Sequence, residues 1–171
     1  MNNYWVKYGI NFIFIILLQG LIINQFQLCG YVYPMVYIVA ILMLPFETNL
    51  FLSILLSLAL GIGVDAMSDT FGLHTSSSLL IGYIRPYFLK LIKPRDGYDS
   101  TMLPTIHDMG KTWFIMSTGI LLFIHHLWFF TIEILRFDLL DISLIKTFLS
   151  SIVSLFIILL LQYLFYKPTK Q

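Results

Sequence analysis

LFLSILLSLALGIGVDAMSDTFGLHTSSS, residues 50–78, decides how this chain folds. From Leu50 to Val64 the stretch is apolar apart from Ser53, Ser57 and two glycines, which fits a helix lying in hydrocarbon. Beyond it, Asp65, Asp69, His74 and a run of hydroxyls gather within a few residues. Gly72 interrupts the pattern, so the reading is a helix, a polar turn and a second helix.

The rest of the chain repeats the apolar theme. Of 171 residues, 58% are hydrophobic and only 11% charged, where soluble chains carry about a quarter charged residues. A bilayer is the expected solvent. A helical span needs roughly 20 apolar residues, so the length accommodates about six spans and no separate extramembrane domain. Cys29 is the one cysteine, which excludes an internal disulfide and a cysteine metal site. The start, MNNYWVKYGINFIF, lacks a small-residue cleavage signature and reads as a retained first helix.

Outward from the opening stretch, the expected architecture is all-α, a single transmembrane domain over residues 1–171. Its expected spans are 8–26, 32–46, 49–66, 72–92, 111–135 and 143–166. The second is short, ending at Pro45, and meets the third at PFETN, where Glu47, Thr48 or Asn49 can cap the next helix. With both termini cytoplasmic, the inner side receives Lys7, Lys90, Lys93, Arg95, Lys111, Lys167 and Lys170, while the outer side receives Arg136 and Lys146. That asymmetry follows the positive-inside rule.

Several polar residues invite chemistry. Asp65 and Asp69 share a helix face with His74 close behind, a set suited either to a hard metal or to helix capping and an interhelical bond. Their place at the end of a span, where an interfacial carboxylate is tolerated, favours the second use. Ser53, Ser57, Gly61 and Asp65 recur every four residues as a small-residue ridge for close helix approach. Ser76, Ser77 and Ser78 lack the strained turn and neighbouring base of a nucleophile and suit backbone bonding.

His125 and His126 are adjacent on one helix, about 100° apart, and so are poorly placed to ligate one ion. Glu133 lies on the face of His126. A proton relay and interhelical hydrogen bonds are both open to this set. Arg85, before Pro86 near the inner boundary, is expected to snorkel toward headgroups. No phosphate-cradling glycine loop and no nucleic-acid stripe occurs, so no cofactor, metal or nucleic-acid partner is expected.

Over essentially its whole length the chain resembles the MreD family of the bacterial rod-shape system. The resemblance rests on LPFET (Leu44 to Thr48), Gly61 to Asp65 followed by FGLH (Phe71 to His74), Arg85–Pro86, PRDGYD (Pro94 to Asp99) and the double histidine. It implies a non-enzymatic, multi-pass inner-membrane subunit of the cell-elongation machinery that supports cell shape and peptidoglycan synthesis. It implies binding to an MreC-type bitopic protein, alongside MreB, RodA and a penicillin-binding transpeptidase. It also implies a six-helix fold similar to the substrate-binding subunits of energy-coupling-factor (ECF) transporters.

The residues expected to make helix-packing or partner contacts are Ser53, Ser57, Gly61, Asp65, Arg85, His125, His126 and Glu133. The rival expectation is a solute-binding membrane subunit of a vitamin or metabolite transporter. Against it, the first helix lacks the alanine-x-x-x-alanine ridge of such subunits, since alanine occurs only at positions 40, 59 and 66.

Overall fold

A computed structural model describes residues 4–26, 30–99, 102–135 and 137–165. Cys29, Arg136, Lys167 and Lys170 lie outside the described residues. The regular structure is all-helical: α1 (Tyr4–Leu21), α2 (Val39–Leu42), α3 (Leu50–Ser68), α4 (Leu73–Leu91), α5 (Ile106–Met109), α6 (Lys111–Ile134) and α7 (Leu140–Phe165), with 3-10 turns at Ile23–Gln25 and Phe137–Leu139.

Three of these, α3, α6 and α7, are long and apolar enough to cross a membrane. α1 and α4 have 18 and 19 residues. α4 is less apolar because His74, Ser77, Ser78 and Arg85 carry polar groups into the core.

Beside an apolar core, the bundle buries many polar side chains and turns large apolar ones outward. On α7 the buried positions include Ser143, Thr147, Ser150, Ser154 and Gln162, while Phe148, Ile152, Phe156 and Leu160 are exposed. α1 exposes Ile10, Ile13, Phe14 and Leu17 in the same way. In water this arrangement would leave the large apolar faces of α1 and α7 exposed. In hydrocarbon it leaves lipid against the apolar faces and lets polar groups pair inside. The chain is an all-helical membrane protein.

Two antiparallel hairpins and a parallel α1–α3 contact build the bundle. α3 and α4 form the tightest hairpin, joined by a turn in which Asp69 (φ 51°) closes α3 in the left-handed conformation and Gly72 (φ 80°) opens α4. Asn49 begins α3 by accepting the Leu52 N–H at 2.7 Å. α1 lies parallel to α3, with Gly20 against Met67 and Gly63 against Ile16. α6 and α7 form the second hairpin, on which Gly119 faces Leu155.

The expected second span does not form a helix of that length: between 32 and 46 only Val39–Leu42 is α-helical. Hydropathy marks the segment as apolar, and it is: Met35, Val36, Tyr37, Ile38, Val39, Ile41, Leu42, Met43 and Leu44 are all buried. Irregular backbone is tolerated at membrane depth only when protein surrounds it and satisfies its N–H and C=O groups. Segment 33–46 therefore forms the inside of the bundle and not one of its staves.

Candidate functional site

The buried polar residues converge on that irregular segment and on the α3–α4 contact. Each end of segment 33–46 has its own suppliers. Ser150 Oγ accepts the Tyr33 N–H at 2.9 Å, and Ser154 Oγ accepts the Met35 N–H at 2.8 Å. Gln19 Oε1 accepts from Val36 N–H at 2.8 Å and Tyr37 N–H at 3.2 Å, while its Nε2 donates to the Pro34 carbonyl at 3.0 Å. At the far end Arg85 Nη2 donates to the carbonyls of Leu42 and Leu44.

Arg85 thus departs from the snorkelling expectation. It is 1% exposed, and its guanidinium caps the C-terminal carbonyls of α2 instead of reaching headgroups. The physical reason is supply: a four-residue helix leaves its last carbonyls without intrahelical donors, and buried carbonyls need a donor from the protein. Next to it, Pro86 has no N–H, which leaves the Gly82 carbonyl without its helical donor. Ser53 Oγ donates to that carbonyl at 2.9 Å.

Ser53, Ser57, Gly61 and Asp65 are buried where α3 meets α4. A Cβ on Gly61 would strike the Thr75 backbone, and one on Gly82 would strike Ser57. Ser57 Oγ donates back to the Ser53 carbonyl at 2.8 Å. Asp65 ends the ridge. Its Oδ1 accepts from Thr70 Oγ1 at 2.5 Å and His74 N–H at 3.0 Å, and its Oδ2 from Thr75 N–H at 2.9 Å and Thr75 Oγ1 at 2.6 Å. The cap of α4 is therefore supplied from within α3, and its negative charge sits against the positive end of the α4 dipole. Asp69 is exposed, and Ser68 accepts from Asn24 Nδ2 at 2.7 Å.

The histidines meet through Tyr37, a residue with no local signal in the sequence. Its hydroxyl lies 3.1 Å from His74 Nδ1 and 2.7 Å from His125 Nε2. His126 points elsewhere: Nδ1 lies 2.8 Å from the Leu122 carbonyl, which can only accept, so that nitrogen carries the proton. Nε2 then accepts from Ser154 Oγ at 3.2 Å. His125 Nδ1 is buried without a partner. Glu133 does not join His126. It pairs with Lys146 at 3.1 Å at the rim, where Lys146 also lies 5.1 Å from the centre of the Tyr33 ring.

These bonds limit the available chemistry. Ser76 and Ser77 donate to the Leu73 carbonyl, whereas Ser154 Oγ, the hydroxyl that meets an imidazole at His126 Nε2, is fully buried and also accepts the Met35 N–H. Among the described residues, no three His, Cys, Asp or Glu side chains converge as metal ligands.

Two clefts open from opposite ends of the bundle. One, about 280 Å³, lies at the α3–α4 turn and is lined by Asn24, Ser68, Asp69, Thr70, His74 and Glu133 among others. The other, about 410 Å³, lies where α3 starts and α4 ends. Beside it Phe46 stacks on Tyr98 with centroids 4.0 Å apart, and Trp113 meets both rings edge-on. Tyr98 Oη donates to the Leu89 carbonyl at 2.9 Å, and burial pushes its hydroxyl up from the ordinary tyrosine value.

Sequence reasoning missed Gln19, Tyr37, Ser150 and Ser154. For the α7 pair the signal was present, since Ser143, Thr147, Ser150 and Ser154 recur every three or four residues, as the ridge on α3 does. Compared with known proteins, the chain matches no family model, no curated protein and no solved structure.

Proposed function

We propose that the chain is a non-enzymatic inner-membrane scaffold of the MreD family, working in cell elongation by binding an MreC-type bitopic protein and, with it, MreB, RodA and a penicillin-binding transpeptidase. In this reading the membrane is crossed six times: five times by α1, α3, α4, α6 and α7, and once by segment 33–46 through the interior. Both termini are cytoplasmic, and the fold is similar to that of the ECF substrate-binding subunits.

One observation carries the reading. The motifs on which the resemblance rests are scattered along the sequence yet meet in space. Phe46 of LPFET stacks on Tyr98 of PRDGYD, Tyr98 binds the Leu89 carbonyl one turn beyond Arg85–Pro86, and Arg85 binds the Leu44 carbonyl. Asp65 and His74 of the other motif pair meet the double histidine through Tyr37. Residue types that cohere in this way are what a shared core requires. The internal pairing of the polar groups also supports contact, not turnover, as the work of the outer faces.

Depletion in a rod-shaped host tests it: cells round up and the MreC-type partner leaves the complex. Unchanged rods would count against the assignment. A second reading, a solute-binding transporter subunit, is favoured by the cleft at the α3–α4 turn, whose volume approaches the roughly 300 Å³ at which ligand pockets begin. A stoichiometric small molecule retained through purification in mild detergent would select it.

A further inference from the structure

The second cleft has a lining that fits neither a purely anionic nor a purely apolar occupant. Lys90 and Lys93 stand at its rim beside Glu47, and all three are exposed. Asp99 also lines it and is held by an interaction within the chain. The start of α3, at Asn49 and Leu50, presents the positive end of a 19-residue helix to the same space. Pro86 and Leu89 give it an apolar wall, and Tyr87 and Tyr98 give it rings with one polar end.

Positive charge is also held behind this wall. The Arg85 guanidinium lies one turn from Leu89 in the buried core, and its Nε has no partner. Lysines, a helix start and this buried cation favour a phosphate, while Glu47 favours an ammonium beside it.

We propose that this cleft holds the headgroup of a phosphoethanolamine lipid, its phosphate on Lys90, Lys93 and the start of α3, its ammonium on Glu47, and its glycerol and first acyl carbons along Pro86 and Leu89. In the six-span reading, on which this inference rests, the lysine-bearing end of α4 leaves hydrocarbon here, which puts the site at headgroup depth. An anionic lipid without the amine leaves Glu47 opposed by like charge. A choline headgroup carries no N–H to donate to it.

Native mass spectrometry of the full chain in mild detergent, offered equal amounts of phosphatidylethanolamine, phosphatidylglycerol and phosphatidylcholine, tests the proposal. The ethanolamine lipid is retained about five-fold over the other two, the ratio given by one exposed ion pair at the upper end of its range. Glu47→Gln abolishes that preference while leaving phospholipid binding. The double variant Lys90→Gln, Lys93→Gln lowers retention of all three by roughly thirty-fold, at about 1 kcal/mol per lysine. All three side chains are exposed, so the variants fold as the parent does, which their elution profile verifies. Equal retention of the three lipids, a preference that Glu47→Gln leaves intact, or displacement of the lipid by free phosphoethanolamine at equal concentration overturns the assignment. The scaffold reading stands or falls separately, on partner binding.

Discussion

The Ser53 hydroxyl donates to the Gly82 carbonyl across 2.9 Å, and that carbonyl is the one Pro86 leaves without a helical donor. A proline inside α4 and a serine inside α3, each unremarkable alone, are thus two halves of one arrangement. It gives a double-mutant test. Ser53→Ala orphans a buried carbonyl and costs about 1–3 kcal/mol. Pro86→Ala restores an N–H to the same carbonyl, so the double variant recovers much of the loss. Thermal unfolding in detergent measures the coupling; strictly additive effects would contradict the assignment.

Asp65 and Asp69 separate by environment. Asp65→Asn keeps one acceptor oxygen but replaces the other with a donor facing the Thr75 N–H and hydroxyl, and is expected to destabilise by about 1–2 kcal/mol. Asp69→Asn is expected to be near neutral, since Asp69 is exposed and asparagine tolerates the left-handed backbone at this position. Co-purification with the proposed MreC-type partner is expected to follow the same order, with Asp65→Asn losing more.

Close approach at Gly61 predicts a steric hierarchy. Gly61→Ala drives a methyl into the Thr75 backbone, which cannot swing aside, and costs about 1–3 kcal/mol. Gly119→Ala meets only a Leu155 methyl at 3.7 Å and is tolerated. Relative yields of monodisperse protein report the difference.

Arg85 and Tyr37 hold segment 33–46 from inside. Arg85→Leu leaves the Leu42 and Leu44 carbonyls without their donor, and Tyr37→Phe removes the hydroxyl between His74 and His125. Each is expected to cost about 1–3 kcal/mol per orphaned group, with Arg85→Lys milder than Arg85→Leu. Cysteines placed at Met35 to Leu44, in a chain with Cys29 replaced by serine, stay unlabelled by a water-soluble maleimide in the parent and become labelled in these variants. By contrast, Glu133→Gln removes a rim ion pair and is expected to change stability by less than about 1 kcal/mol.

How far the sequence exposes this design depends on the element. α3, α4, α6 and α7 fall close to their expected limits because a long apolar run ended by polar residues is a local signal. Segment 32–46 carries the same apolar signal and still departs from helix. What decides its backbone lies elsewhere in the chain, in Gln19, Arg85, Ser150 and Ser154, and hydropathy is blind to such partners. Arg85 misleads for a related reason: its nearness to a boundary is readable, while the side of the helix it faces depends on where α2 ends. The spacing of Ser53, Ser57, Gly61 and Asp65 is legible as a ridge, but its target, α4 of the same chain, is not. Tyr37 joins positions 74 and 125, a relation that no window on the sequence contains.

The central claim is that this membrane-embedded bundle acts by holding other proteins. Affinity purification of the full chain from its native membrane in mild detergent, with every retained protein and small molecule identified, tests it most directly. The account predicts a bitopic MreC-type protein at near-equal stoichiometry. Recovery of the chain alone, or with a stoichiometric metabolite and no protein partner, would contradict it.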